Sequence, residues 1–165
     1  MSHRRRTRGR HDRGAALLEF ALVVPVFLTI VMGALDFGMT FNDYNSVRQG
    51  VREGARQVVV SDWSTDGCTS GSSSTRAACV TKHRIGLDAN RTRIKIRLEG
   101  DYESGDQVTV CAMYRASSIT GLFGFLLDNR VLTSKVSMRL ERIDTDAPLA
   151  NLSEAAFATK DWSWC

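Results

Sequence analysis

From Ala15 to Leu35 the chain is apolar almost without interruption, and Glu19 is the only charge in the stretch. About 21 residues at roughly 1.5 Å each cover the ~30 Å of a bilayer core, so the stretch predicts a membrane-crossing helix. The apolar pattern then continues at steps of three and four through Phe37, Phe41, Tyr44, Val47, Val51, Ala55 and Val58. Arg48, Gln49, Arg52, Glu53, Arg56 and Gln57 occupy the other side. This periodicity predicts one long helix over about 15–60, apolar all round at first and amphipathic afterwards. Pro25 is expected to kink it, because proline removes a backbone donor and crowds the preceding turn. Gly50 and Gly54 lie one turn apart and are expected to let another backbone approach closely.

Residues 61–76 are rich in Ser, Thr, Gly and Asp, which predicts a loop, and a short helix is expected from Thr75 to Leu87. The period then changes to two. Arg93–Glu99 alternates strictly, with Ile94, Ile96 and Leu98 on one face and charges on the other, as a half-buried antiparallel strand requires. Turn formers fill 100–106. A second strand follows over Gln107–Arg115, with Val108, Val110, Ala112 and Tyr114 on one side, and the two strands together predict a hairpin. Ile119, Leu122, Phe123, Leu126 and Leu127 fall at helical spacing and predict a short apolar helix packed on the sheet. A third strand is expected over Val131–Glu141, with Leu132, Val136, Met138 and Leu140 inward. The tail, with Pro148, Trp162 and Trp164, has no clear period. The predicted class is α+β: a long N-terminal transmembrane and amphipathic helix, then a small antiparallel sheet domain with a short helix. The corresponding division is a basic leader at 1–14, the helix at 15–60 and an exported domain at 61–165.

Charge refines this picture. The chain carries a net +4 at pH 7, with a pI near 9.1. The first fourteen residues hold six arginines against Asp12, which leaves sixteen basic against seventeen acidic residues in the remainder. The basicity therefore belongs to the head, and a nucleic-acid partner is not expected. Beside an apolar span, such a head predicts a cytoplasmic N-terminus and an extracytoplasmic C-terminal domain. A cleaved secretory signal fits poorly, since its apolar region is only about 7–15 residues long and ends in a small-x-small site, whereas Gly33-Ala34-Leu35-Asp36 stands here. A twin-arginine signal lacks its apolar follow-up.

Cys68, Cys79, Cys111 and Cys165 all follow the span, an even number in the part expected to be exported, which predicts disulfides. Three pairings are possible, and the reading favours Cys68 with Cys79 and Cys111 with Cys165, each stabilising by roughly 3–4 kcal/mol in the chain-entropy account. No His and Cys spacing resembles a zinc site; His3 and His11 sit in the head and His83 is isolated. Asp144 and Asp146 read as solvated loop residues more than as metal ligands. The sequons at Asn90 and Asn151 mark surface positions. Nothing groups a nucleophile with a base, so neither a cofactor nor an enzymatic activity is expected, and a membrane-tethered hydrolase is a remote reading.

The run Arg13-Gly14-Ala15-Ala16-Leu17-Leu18-Glu19-Phe20 resembles the processing site of type IV prepilin-like proteins, cut after the glycine, with a glutamate fifth after the cut and an aromatic residue behind it. Together with Pro25, Asp36-Phe37-Gly38 and Arg52-Glu53-Gly54-Ala55-Arg56, it resembles the TadE-like family, minor pilin-type components of the tight-adherence (Flp) pilus machinery. The likeness covers about residues 13–60. It implies cleavage between Gly14 and Ala15 by a prepilin peptidase, and pairing of Glu19 with the liberated amine of a neighbouring subunit, with Phe20 beside it. Other pilin and assembly subunits are the implied partners. Arg48, Arg52 and Arg56 repel one another at steps of four, which an acidic partner surface or Glu53 would relieve, although a plain solvated face is the favoured reading of the stripe. The expected function is a minor pilin or pseudopilin in the cell membrane or a pilus. The alternative is an uncleaved, single-pass anchored extracytoplasmic binding or adhesion module.

Overall fold

The computed structural model describes residues 11–63, 67–144 and 148–165, with side chains from Gly14 onward. The basic head up to residue 10, Asp146 and part of the loop between the first two helices lie outside the described residues. Helix α1, His11–Val59, is 49 residues long and runs through Pro25 without a break in its assignment. Thr29 Oγ1 donates to Pro25 O at 2.8 Å, one turn back along the helix. Its polypeptide changes character along the way. Residues 14–30 are exposed on nearly every side, whereas Val47, Val51, Ala55 and Val58 are fully buried.

The buried stripe above Val47 differs from the expected one. Phe37 and Phe41 point outward, and Gly33 and Asp36 take the inner positions instead. Gln57, expected on the polar side, is also buried. The reason is the neighbour: the chain segment that packs against this part of α1 brings hydroxyls and backbone amides, so a small residue and an acid fit it better than phenylalanines.

Helix α2, Ser73–Ile85, starts where Ser72 caps it by accepting from the Thr75 amide, and ends at Gly86 in the left-handed region. It packs on α1 at the two glycines. A Cβ on Gly50 would collide with the Ile85 backbone, and one on Gly54 would stand 2.6 Å from Thr81 Oγ1. The close approach expected of this pair is therefore made within the chain, which explains why helix-weakening glycine sits there.

The sheet is antiparallel in the order β3-β2-β1-β4, formed by β1 Thr92–Glu99, β2 Gln107–Arg115, β3 Val131–Arg139 and β4 Leu152–Ser153. The β1–β2 hairpin and its inward face of Ile94, Ile96, Val108, Val110 and Ala112 agree with the alternation. The lower half of α1 lies over β2 and β3 and α2 lies over β1, which closes a single core with Leu140 and Leu149. Two features were not expected. Strand β2 is buried on its second face too, at Thr109, Cys111 and Met113. The tail also supplies the edge strand β4, held by Glu154, which accepts from the Ile94 amide at 2.9 Å and pairs with Lys82 at 2.7 Å.

Both favoured disulfides are present. Cys68–Cys79 ties the loop to α2, and Cys111–Cys165 pins the C-terminus across the outer face of β2. Trp162 and Trp164 lie together on that tail, and the Trp162 indole donates to Glu154 O.

The predicted apolar helix over 119–127 is a correction. Only one turn forms, α3 Gly124–Leu127, and only Leu127 is buried. Gly121 in the left-handed region interrupts the segment before it, and residues 118–123 turn away from the sheet to meet α1. Ile119, Leu122 and Leu126 are left exposed.

Candidate functional site

The expected assembly features lie at two levels of α1. At the N-terminal level, Gly14, Ala15, Glu19 and Phe20 are all exposed and stand clear of the rest of the chain. A Cβ on Gly14 would meet nothing within 4 Å, so the fold itself gives no reason for a glycine there. A glycine in a helix costs about 1 kcal/mol relative to alanine. Ala15 and Glu19 are one turn apart on one face. The same stretch makes α1 a candidate membrane anchor: it is the one helix among the described residues long and apolar enough, with a mean hydropathy of 2.4 over its most apolar 18 residues, none of them buried.

At the C-terminal level the arginine stripe is solvent-facing. Arg48 lies over the Tyr44 ring at 5.5 Å, and Arg56 pairs with Glu53 at 3.7 Å. Glu53 thus relieves part of the like-charge repulsion within the helix, by no more than a few tenths of a kcal/mol for so exposed a pair. Arg52 projects between them and is exposed.

Between these levels is a feature that periodicity did not reveal. Asp36 is 1 % exposed. Its Oδ1 accepts from the backbone amides of Ile119 and Thr120, both at 3.0 Å, and its Oδ2 accepts from Ser118 Oγ at 2.7 Å and Thr120 Oγ1 at 2.6 Å. Phe123 closes the junction, with its ring against Gly33 and 5.7 Å from that of Phe37. A buried carboxylate is tolerable only when its lone pairs are filled, and here four donors fill them. The acid between the span and the amphipathic stretch was the available signal, since Asp36-Phe37-Gly38 belongs to the family resemblance. Its partner, more than eighty residues away, left no local trace.

Elsewhere an open groove of about 680 Å³ runs between α2 and β4, bounded by Ala78, Lys82, His83, Leu87, Leu152 and Glu154. Its central charges neutralise each other in the Lys82–Glu154 pair. His83 is exposed there, and among the described residues no group of three or more His, Cys, Asp or Glu is placed to hold a metal ion.

The arrangement offers a long helix whose ends carry separate surfaces, and an acid that fixes the middle. Comparison with curated proteins and with solved structures finds no match. The family model described as TadE-like protein matches residues 14–56, from the glycine of the processing motif to the last arginine of the stripe, and the resemblance read from the sequence stands on that segment.

Proposed function

We propose that this protein is a minor pilin-type component of the tight-adherence pilus machinery, held in the membrane and assembled through α1 after cleavage between Gly14 and Ala15. The TadE-like segment points to a pilus-associated protein. The observation that carries the finer reading is the exposure of the whole Gly14–Phe20 motif: a glycine with no packing reason and a glutamate with no partner contact from the folded domain are placed for other molecules. A peptidase gains backbone access at Gly14, and Glu19 awaits the amine of a neighbouring subunit. Pairing offsets the cost of two charges in a low-dielectric setting, and a missing partner strands the other charge. The basic head keeps the N-terminus in the cytoplasm, and the disulfide-tied domain lies outside.

N-terminal sequencing of the membrane-extracted protein tests this. A start at Ala15 is expected. A start at Met1 or Ser2 would overturn it in favour of the uncleaved anchored module. In a cleaved protein, Glu19→Gln is expected to abolish incorporation into filaments while leaving the exported domain folded, and normal incorporation of that variant would remove the assigned role of Glu19.

A further inference from the structure

Residues 119–127, Ile-Thr-Gly-Leu-Phe-Gly-Phe-Leu-Leu, carry no charge, and Ile119, Leu122, Phe125 and Leu126 among them are exposed. Phe125 is 82 % exposed and Ile119 66 %, with Leu122 and Leu126 also bare. So open an apolar patch on a folded domain marks a contact surface. Its position is fixed by α1. Phe123 rests on Gly33 in the last turn of the predicted span, and the Phe37, Phe123 and Phe125 rings follow one another at 5.7 and 6.4 Å, leading from the helix out to the tip. About 28 Å of helix rise separates Gly14 from Gly33, close to the ~30 Å of a hydrocarbon core. With Gly14 at one interface, the patch lies at the other. It is continuous with the bare apolar surface of α1 at Leu35, Phe37 and Met39.

Seven of the nine backbone amides from Ile119 to Leu127 already have acceptors within the chain, which lowers the cost of entering a low-dielectric layer. The amides of Ile119 and Thr120 are held by Asp36, and those of Gly121 and Leu122 by the Ser118 and Thr120 hydroxyls. Gly124 donates to Gly121 O, and both Leu126 and Leu127 donate to Phe123 O. Asp36 is capped by four donors, and the Asp128 carboxylate at the far side of the loop accepts from the Ser118 amide at 2.7 Å. Asp128 and Arg130 mark the edge where charge returns.

We infer that residues 119–126 are a second membrane contact, a wedge that enters the headgroup and acyl boundary of the outer leaflet beside α1 and sets the height and tilt of the exported domain. The inference rests on the reading that α1 spans the bilayer. An interfacial apolar segment of this kind sits about 5–10 Å into the boundary. The occupant is phospholipid, because the patch is uncharged, continuous with the span and level with its outer end.

The test uses the full chain in phosphatidylcholine vesicles, with tryptophan introduced singly by Phe125→Trp, by Phe27→Trp within the span and by Tyr102→Trp at the distal hairpin, each measured against the emission of the parent protein. Lipids carrying a nitroxide near the headgroup or deep in the acyl chain act as quenchers. The expected result is that Phe125→Trp is quenched more by the shallow probe than by the deep one, Phe27→Trp more by the deep one, and Tyr102→Trp by neither. Quenching at position 27 without quenching at 125 would overturn the wedge and leave the anchor standing. Absence of quenching at both would overturn the wedge together with the spanning reading. Protection of position 125 from aqueous iodide without lipid quenching would assign the patch to a second copy of the chain and likewise sink the proposal.

Discussion

Replacing Asp36 by alanine removes the acceptor for two backbone amides and two hydroxyls at once. The hydroxyls of Ser118 and Thr120 can rotate toward other acceptors, but the amides of Ile119 and Thr120 cannot. Each amide left without its acceptor costs about 1–3 kcal/mol. Relief from burying a carboxylate offsets part of the sum, so a net loss of about 2–4 kcal/mol is expected. The loss falls on the junction, because the sheet, α2 and both disulfides make no use of Asp36. The loop should therefore undock while the domain stays folded. Amide hydrogen exchange in detergent micelles reads this directly: 2–4 kcal/mol corresponds to about 30- to 900-fold faster exchange at Ile119 and Thr120, with the β1–β2 ladder unchanged. Asp36→Asn keeps one acceptor oxygen for the amides and should fall between the two. Exchange at both amides within about threefold of the parent protein would refute the assignment of Asp36 as the clasp between helix and loop.

Gly50→Ala drives a methyl into the Ile85 backbone and should lower stability by about 1–3 kcal/mol, whereas Gly14→Ala, with open space around it, should not lower the thermal midpoint; similar melting of the two variants would contradict the packing argument. Breaking Cys111–Cys165 with serines releases a 54-residue loop and should cost about 4 kcal/mol, against about 3 for Cys68–Cys79, with the larger drop in denaturant midpoint expected for the former. Substituting Arg52 and Arg56 together by serine should leave folding within about 0.5 kcal/mol and reduce incorporation into filaments, so normal filaments from that variant would count against a partner for the stripe.

Strict alternation made the hairpin legible, because Ile94, Ile96 and Leu98 face one core while their neighbours face solvent or the covering tail. Helix α1 was equally plain: its apolar length exceeds any strand, and its lower stripe is regular. The misreading of 119–127 has a specific cause. Helical spacing reports which residues are apolar, not where they point, and the orientation here is decided by Asp36, far away in sequence. The outward turn of Phe37 and Phe41 follows from the same contact. Strand β4 has two residues, too few for a period to exist, and is set by Glu154 and the β1 edge. The second buried face of β2 had one hint, a cysteine at an outward position, and needed the tail's destination to be interpreted. Of the residues proposed for assembly, the motif at Gly14–Phe20 is visible in sequence because it serves no internal contact, so its residue types are not blurred by packing.

Helix α1 passes from its bare half into the core with no loop, proline or glycine hinge between Gly38 and Val47, and the Asp36 clasp stiffens that stretch from the side. Stem and head are thus one lever. Each residue by which the helix advances along its axis carries the whole head about 1.5 Å in the same direction, and a rotation of the stem turns the outward surface by the same angle. Displacement of the stem would be delivered to the far end, as in a piston rod with its crown forged in place.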